Sequence, residues 1–459
     1  MGQRHNEGGV ATELESGSPP TIATAELFAE ASQYMPGGTS RLHYYYQPYP
    51  IYAQSGNGCY LTDVEGVERV DYLNNMTALI HGHANPVINL AIFHQLQRGT
   101  AFSEPAEPEL ELARLLVERV PSLEKIRFAN SGSEAIMLAV KLARAYTGRS
   151  RIAKFEGFYH GYYDYVQVSY SSQPDSWGPA TAPHSVASSG GLAESVESDV
   201  LTLPYNDKES VIRLLEQHGT EIAGLLYDPL CNRAGFPLPQ DDFLGFLREI
   251  TRDYGIVLIS DEVISFRVSY QGGAARFGGD PDLTVFGKII GGGLPIGAVG
   301  GKAEIMALLD PTEGPPVLAS GGTFSGNPLS TIAGYAALAQ LTPEAYTRLE
   351  VLGDDLRTRA NAVFAAAGVP GQVSGAGSLI LVVPTDAPIV NYRSIPKGPE
   401  TEARMRGLHR GLMDAGDRDE VGIIVSKEGL GALSTPMGQV EVDRFIVALE
   451  HAVQQVAGV

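Results

Sequence analysis

The sequence predicts an α/β fold in which helices wrap a mainly parallel sheet, joined to a smaller α+β domain built from both termini. Three observations carry this. Between residues 75 and 323 short apolar runs alternate with helical stretches, the pattern of parallel strands linked by crossover helices. Two of those runs end in charge: residues 256–260 lead into Asp261, and residues 283–286 lead into Gly287-Lys288. Beyond residue 328 the pattern changes to long helices separated by short strands, which suits a smaller domain.

At 459 residues the chain needs more than one simple core: two or three domains, or one large α/β domain with appendages. A formal net charge of −20 argues against nucleic acid and anionic membrane surfaces as partners. The only cysteines, Cys59 and Cys231, exclude a disulfide framework and point to a reducing, cytoplasmic compartment. The longest apolar runs, about eight residues, fall far short of the ~20 a membrane span requires. Residues 1–20 are rich in Gly, Ser, Glu and Pro, lack an apolar signal core, and read as a flexible tail.

Residues 21–74 form the expected N-terminal part of the small domain. A helix starts near Thr24, a candidate N-cap, with Leu27, Phe28 and Ala31 on one face, and breaks at Met35-Pro36-Gly37-Gly38. An aromatic run, Tyr44-Tyr45-Tyr46-Gln47-Pro48-Tyr49, follows, then a hairpin over residues 58–73 turning at Glu65-Gly66. Residues 75–327 form the large domain, with strands at 222–227, 256–260 and 283–286. Its helix at 242–254 has Phe243, Phe246, Leu247 and Ile250 on one face. Within it, residues 171–199 are rich in Ser, Pro, Ala and Gly with little periodicity, a long loop that is either disordered or a lid. Residues 328–459 form the C-terminal small domain, with helices at 328–341, 344–368 and 440–456 and strands at 378–383 and 421–426.

Asn130-Ser131-Gly132-Ser133-Glu134 stands between a short strand ending at Phe128 and an amphipathic helix. Free backbone N–H groups, hydroxyls and the positive helix end suit a phosphate dianion. An ordinary N-cap with Glu134 in the first turn reads the same residues. In Gly157-Phe158-Tyr159-His160-Gly161 an aromatic can stack on a flat ring, or simply pack in the core. His160 reads as a proton carrier or a hydrogen-bonded neighbour.

Asp228, Asp261 and Lys288 all fall at carboxyl ends of strands, where open parallel sheets bind ligands. Strand alternation turns Glu262 to the face opposite Asp261. Lysine at one strand end and aspartate at the next is the pairing a pyridoxal 5'-phosphate enzyme needs: the amine forms a Schiff base and the carboxylate keeps the pyridine nitrogen protonated.

The glycines after Lys288 do not make a dinucleotide fingerprint. Gly291 and Gly293 fit, but Ile296 stands where the third glycine belongs and Gly297 comes one residue late, so a chain reversal is expected. Gly322-Thr323-Phe324-Ser325-Gly326-Asn327-Pro328 is a second loop-to-helix junction, a cap or an anion contact at Thr323. His81-Gly82-His83 lacks the ligand set of a metal site and reads as a turn. Arg41, beside the tyrosine run, is a surface arginine or a clamp for a substrate carboxylate.

Taken in order, Ser-Gly-Ser-Glu-Ala, Gly-Phe-Tyr-His-Gly, Asp-Glu-Val, Gly-Lys-Ile-Ile-Gly-Gly-Gly and Thr-Phe-Ser-Gly-Asn-Pro resemble the class III aminotransferases, from about residue 36 onward. Tyr34-Met35-Pro36-Gly37-Gly38-Thr39-Ser40-Arg41 is similar to the branch of β-amino-acid (β-phenylalanine type) aminotransferases, with glutamate-1-semialdehyde aminomutases as the neighbouring branch. The resemblance implies the fold type I transferase architecture and pyridoxal 5'-phosphate as cofactor. It also implies a homodimer with shared active sites, an amine or amino acid as donor and a keto acid as acceptor.

It gives Lys288 the Schiff base, Asp261 the ring nitrogen, and Tyr159 and Val263 the two ring faces. Ser131, Gly132, Ser133 and the neighbouring subunit's copy of Thr323 fall to the phosphate, Asp228 and His160 to the cofactor surroundings, and Arg41 and Tyr159 to the substrate. No metal is implied. Two departures stand out. Asp228-Pro229 replaces the family's Glu-Pro, and Ser426-Lys427-Glu428-Gly429 lacks the arginine before glycine of the β-amino-acid enzymes. That leaves Lys427 or Arg233 to substitute at the second carboxylate contact, or a pocket that accepts amines. The alternative reaction is intramolecular amino transfer of the aminomutase type.

Overall fold

The computed structural model describes residues 23–414 and 421–457; the tail expected at residues 1–20 lies outside them. The chain falls into two compact units, one of residues up to Gln54 with Thr62–Val67, the other of Ser55–Leu61 with Glu68 onward.

In the first unit the helix Thr24–Ala31 has Ala23, not Thr24, at its N-cap position, and Ala23 offers no side-chain cap. The free N–H of Thr24 instead donates to Glu65 Oε1 at 2.9 Å. A carboxylate from the Glu65-Gly66 turn thus does the work of a cap, which Thr24 as a local signal could not show. The turn is held by Asp63, whose Oδ1 accepts the N–H of Glu65 (3.0 Å) and Val67 (2.9 Å).

In the second unit seven strands form one sheet, in the order Lys125–Ala129, Gly297–Gly301, Leu283–Gly287, Val257–Asp261, Ile222–Tyr227, Arg151–Phe155, Val200–Leu203. Gly297–Gly301 runs antiparallel to both its neighbours, and the other pairs are parallel. Strands covered on both faces need apolar side chains at nearly every position, and Ile222–Tyr227 and Leu283–Gly287 are buried throughout. Alternate residues serve two cores. Leu226, Ile259 and Val285 pack with Ala135, Ile136 and Ala139 of the helix Gly132–Thr147. Leu225 and Leu258 pack with Phe243 and Leu247 of the helix Phe243–Tyr254.

Pro328 at the first helical position, with Asn327 Oδ1 accepting from Ser330 N at 2.9 Å, starts the helix Pro328–Gln340. The later chain contributes the helices Pro343–Ala367, Pro399–Asp414 and Gln439–Ala457 and an antiparallel sheet of Gln372–Ser374, Leu379–Val383 and Leu430–Ala432. Gly422–Ile424 pairs in parallel with Glu68–Asp71, so early and late segments share a sheet.

Residues 171–199 are fastened at several points. Ser169 Oγ donates to His184 O (2.8 Å), and Arg393 donates to Gly178 O (2.8 Å) and Trp177 O (2.7 Å) while its guanidinium stacks 4.6 Å from the Trp177 ring. Arg393 also forks onto Glu156 at 2.6 and 3.0 Å.

Lys154, wholly buried, donates to Val168 O (2.8 Å) and Phe155 O (3.2 Å). Burial away from water pushes its ammonium down to about 7. Between that value and the ordinary 10.5 the folded chain binds fewer protons than the unfolded one, so Lys154 makes stability rise with pH across this window. Lys154→Met is expected to flatten that rise, by up to about 1.4 kcal/mol per pH unit, in urea midpoints compared between about pH 7 and about pH 10. Parallel slopes for the two proteins would show that another group titrates.

Candidate active site

Asp261 ends the Val257–Asp261 strand and pairs in register with Val285, three residues before Lys288. Its carboxylate is only 4% exposed. Oδ2 lies 2.7 Å from His160 Nδ1, and Oδ1 accepts from Val263 N at 3.0 Å. Burial pushes the His160 imidazole down, against the pull of Asp261. In the neutral ring, Nδ1–H donates to Asp261, which leaves Nε2 buried with no partner among the described residues. Glu262 points elsewhere, as strand alternation requires: its oxygens accept from Gly273 N (2.6 Å) and Ala274 N (3.0 Å), starting the short helix Gly273–Arg276. Burial pushes its carboxyl up to about 7.

Asp228 follows the Ile222–Tyr227 strand, buried, with Oδ1 accepting from Leu230 N at 2.9 Å. Burial holds its carboxyl well above the usual carboxylate range, and the nearby charge of Asp261 acts in the same direction. Burial thus favours the neutral form of Asp228, one methylene short of the family glutamate.

The Asn130–Glu134 junction makes the expected N-cap. Ser131 Oγ accepts from Glu134 N (3.2 Å), and Glu134 Oε2 folds back onto Asn130 N (2.9 Å), so the cap is made. The N–H groups of Gly132 and Ser133 still open the 16-residue helix, where anions are favoured. The surroundings leave no room for side chains. A Cβ on Gly132 would lie 2.9 Å from Val263 Cγ2, and one on Gly161 2.4 Å from Ser133 Oγ.

The strand carrying Lys288 meets this junction through the expected chain reversal. Lys288 takes φ +50° at the start of the turn Lys288–Gly291, a left-handed backbone that non-glycine residues adopt at a cost. The chain returns as Gly297–Gly301, and Gly297 pairs with both Gly287 and Ala129. A Cβ on Gly297 would stand 2.0 Å from Ser131 O and 3.0 Å from Gly132 N.

Tyr159 is half-buried and meets Tyr170 edge-on (5.4 Å, 75°) and Tyr162 (6.4 Å, 88°). Thr323 is exposed on the single chain, beside Gly322, whose N–H donates to Ser325 Oγ at 3.0 Å. Arg41 belongs to the other unit, where its guanidinium lies 4.4 Å from the Tyr44 ring. His81 bonds to Thr435 Oγ1 and Ala337 O, both at 2.9 Å, and His83 to Asp71 Oδ2 at 2.8 Å. Lys427 is half-buried and Glu428 exposed.

Two features escaped sequence reasoning. Asn74 to Thr77 all take positive φ (49° to 70°), a strained left-handed turn. Wholly buried Arg267 secures it, donating to Thr77 O (2.6 Å) and Ser378 Oγ (3.0 Å). Nothing local announces such a turn except the Asn-Asn pair, whose tolerance of left-handed backbone is a weak signal. The second is the strap of Tyr392–Ser394 across Gly157, where an added Cβ would sit 2.1 Å from the Tyr392 ring.

The sequence model of the class III aminotransferases matches residues 43–420, and the chain belongs to that family of enzymes. It is 43% identical over 369 residues to the glutamate-1-semialdehyde 2,1-aminomutase 1 of Bacillus cereus strain G9842, covering 80% of this chain and 84% of that one. Its fold is similar to that of an omega-transaminase from Sphaerobacter thermophilus, with a TM-score of 0.91 and 47% identity over 95% of this chain and 98% of that one. It is also similar to a β-phenylalanine aminotransferase from Variovorax paradoxus, with a TM-score of 0.82 and 35% identity over 93% and 92% of the two chains.

Class III aminotransferases use pyridoxal phosphate, and the residues present fit it. A buried carboxylate, a lysine at the next strand end, and a helix start closed to side chains at Gly132 are the donors that a pyridinium, an aldehyde and a phosphate require. Gly297→Ala is expected to force Ser131 and the reversed strand apart and to destabilise the protein by about 1–3 kcal/mol in urea unfolding. An unchanged midpoint would show that the junction yields freely.

Proposed function

We propose that this chain is a pyridoxal-phosphate-dependent aminotransferase of the omega-transaminase type, moving an amino group from a β-amino acid or amine to a keto acid. The observation that carries this reading is the sheet edge itself: Asp261 buried against His160 and Val263, with Asp228 beside it and Lys288 at the next strand end. Identity of 47% to an omega-transaminase and 35% to a β-phenylalanine aminotransferase supports the substrate class.

Lys288 would hold the cofactor through its Nζ, and the same Nζ would be the base that takes a proton from the amine-bearing carbon of the substrate. When bound, pyridoxal phosphate supplies the electron sink for that carbon. Asp261 holds the proton at the ring nitrogen, and His160 fixes the carboxylate from behind. Asp228, whose neutral form burial favours, borders the ring beside Asp261. Gly132 and Ser133 N–H groups, next to the Ser131 cap, hold the phosphate, with Thr323 reaching across from the second subunit of a dimer. Tyr159 and Val263 enclose the ring, and Arg41 takes a substrate carboxylate. The free, buried Cys59 and Cys231 support a reducing, cytoplasmic setting.

Identity of 43% to an aminomutase favours a second reading, the intramolecular transfer. An acceptor test separates them: the aminotransferase turns over only when a keto acid is added with the donor, whereas the mutase needs none. Lys288→Ala is expected to abolish the absorbance change when an amine is added to the holoenzyme. Retained turnover in that variant would sink the assignment of Lys288.

A further inference from the structure

The turn Asn232–Ala234 leaves the sheet edge just after Asp228. In it the Arg233 guanidinium carbon lies 5.4 Å from the centroid of the Tyr159 ring and 5.2 Å from that of Tyr170. The turn packs against Tyr392–Ser394. The approach is close: a Cβ on Gly235 would lie 2.9 Å from Ile389 and 3.0 Å from Ile395. From the same segment Lys397 sets its Nζ 4.2 Å from the Tyr392 ring centroid. Two half-buried cations, close enough to feel each other's charge, thus lie against aromatic rings at and near Tyr159.

Their charges are not balanced. Among the described residues, no Asp or Glu oxygen lies within the 4.0 Å ion-pair distance of Arg233 or Lys397. Glu156, the acid that acts on Lys397, already spends both oxygens on Arg393, at 2.6 and 3.0 Å. This happens in a chain with 53 acidic residues against 33 basic ones, where surface cations readily find partners. Burial first, and then the charge of Arg233, pushes the Lys397 ammonium down to about 8. A recess that penalises its own cations is poised for an anion, since a carboxylate would relieve both the desolvation and the like-charge repulsion. The planar guanidinium also offers the two-pronged fit that a carboxylate prefers.

We infer that Arg233, backed by Lys397, is the anion site of the substrate pocket and receives the carboxylate of the keto acid and of the amino acid made from it. This rests on the aminotransferase reading. It places the second carboxylate contact on the turn after Asp228, away from Lys427-Glu428, whose exposed glutamate would repel a carboxylate. A cation–π brace for Tyr159 is the competing structural role, and it predicts no selectivity between substrates.

The test uses the holoenzyme with Arg233→Gln, Arg233→Lys and Lys397→Met. Steady-state rates are taken with pyruvate and 2-oxoglutarate, and the amine half-reaction is followed by absorbance with 1-phenylethylamine, which has no carboxylate. For Arg233→Gln the ratio of keto-acid to amine specificity is expected to fall about 10- to 100-fold, mostly through KM. Arg233→Lys should recover part of it, and Lys397→Met should lose about 3- to 10-fold. Calorimetric titration of 3-phenylpropionate, which cannot react, reads the anion site without turnover and should weaken about tenfold or more in Arg233→Gln. Equal losses toward keto acid and amine, with unchanged 3-phenylpropionate binding, would overturn the anion site and leave a brace. A wild-type enzyme inert toward every donor and acceptor pair would overturn the aminotransferase reading instead, and the titration would still judge Arg233.

Discussion

A carboxylate buried at the end of a sheet strand is the constraint on which the rest of this site depends. Asp261 is costly where it stands unless its charge is answered. The protein answers part of it with His160 Nδ1 and the Val263 amide. Burial and the charge of Asp261 both push the neighbouring Asp228 toward its neutral form. What remains is one negative charge, oriented from behind, at the edge where parallel strands expose their carboxyl ends. A protonated ring nitrogen is the partner that such a charge selects.

The remaining geometry follows from how closely backbones approach each other. Gly297 lies against Ser131 and Gly132 because it has no side chain, and its strand lies between those of Ala129 and Gly287. Lys288 and the helix start that suits a phosphate are thereby tied to each other through backbone, with no flexible side chain between them. Lys288 and the Asn74–Thr77 turn both take left-handed backbone at a conformational cost, the turn being held by the bonds of Arg267.

The proposed substrate choice turns on charge. Arg393 shows how a cation is neutralised in this acidic chain: it binds Glu156 and two loop carbonyls and pins residues 171–199. Lys397, four residues on from Arg393, and Arg233 face aromatic rings instead. The contrast between these neighbouring basic groups separates a structural cation from one that awaits a ligand.

Much of this was legible in the chain. The strand at Ile222–Tyr227 was readable to the residue, because a strand buried on both faces must be apolar throughout. Lys288 and Asp261 were conspicuous as charges ending such strands, and alternation alone separated Asp261 from Glu262. Local order could not show that Glu65 would serve the start of the Thr24 helix, or that His160 would stand behind Asp261, 101 residues away in sequence. Nor could it show that Arg233 and Lys397 would have no carboxylate within ion-pair distance among the described residues. Periodicity and strand-end charge are written in neighbouring residues, so the sequence determined the strands at 222–227, 256–260 and 283–286 and the charges beside two of them, while the strands at 151–155, 200–203 and 297–301 emerged only in the fold. Which acids lose their charge, which glycines are squeezed and which cations stay unanswered depend on distances between remote segments, and the tertiary structure alone decided those.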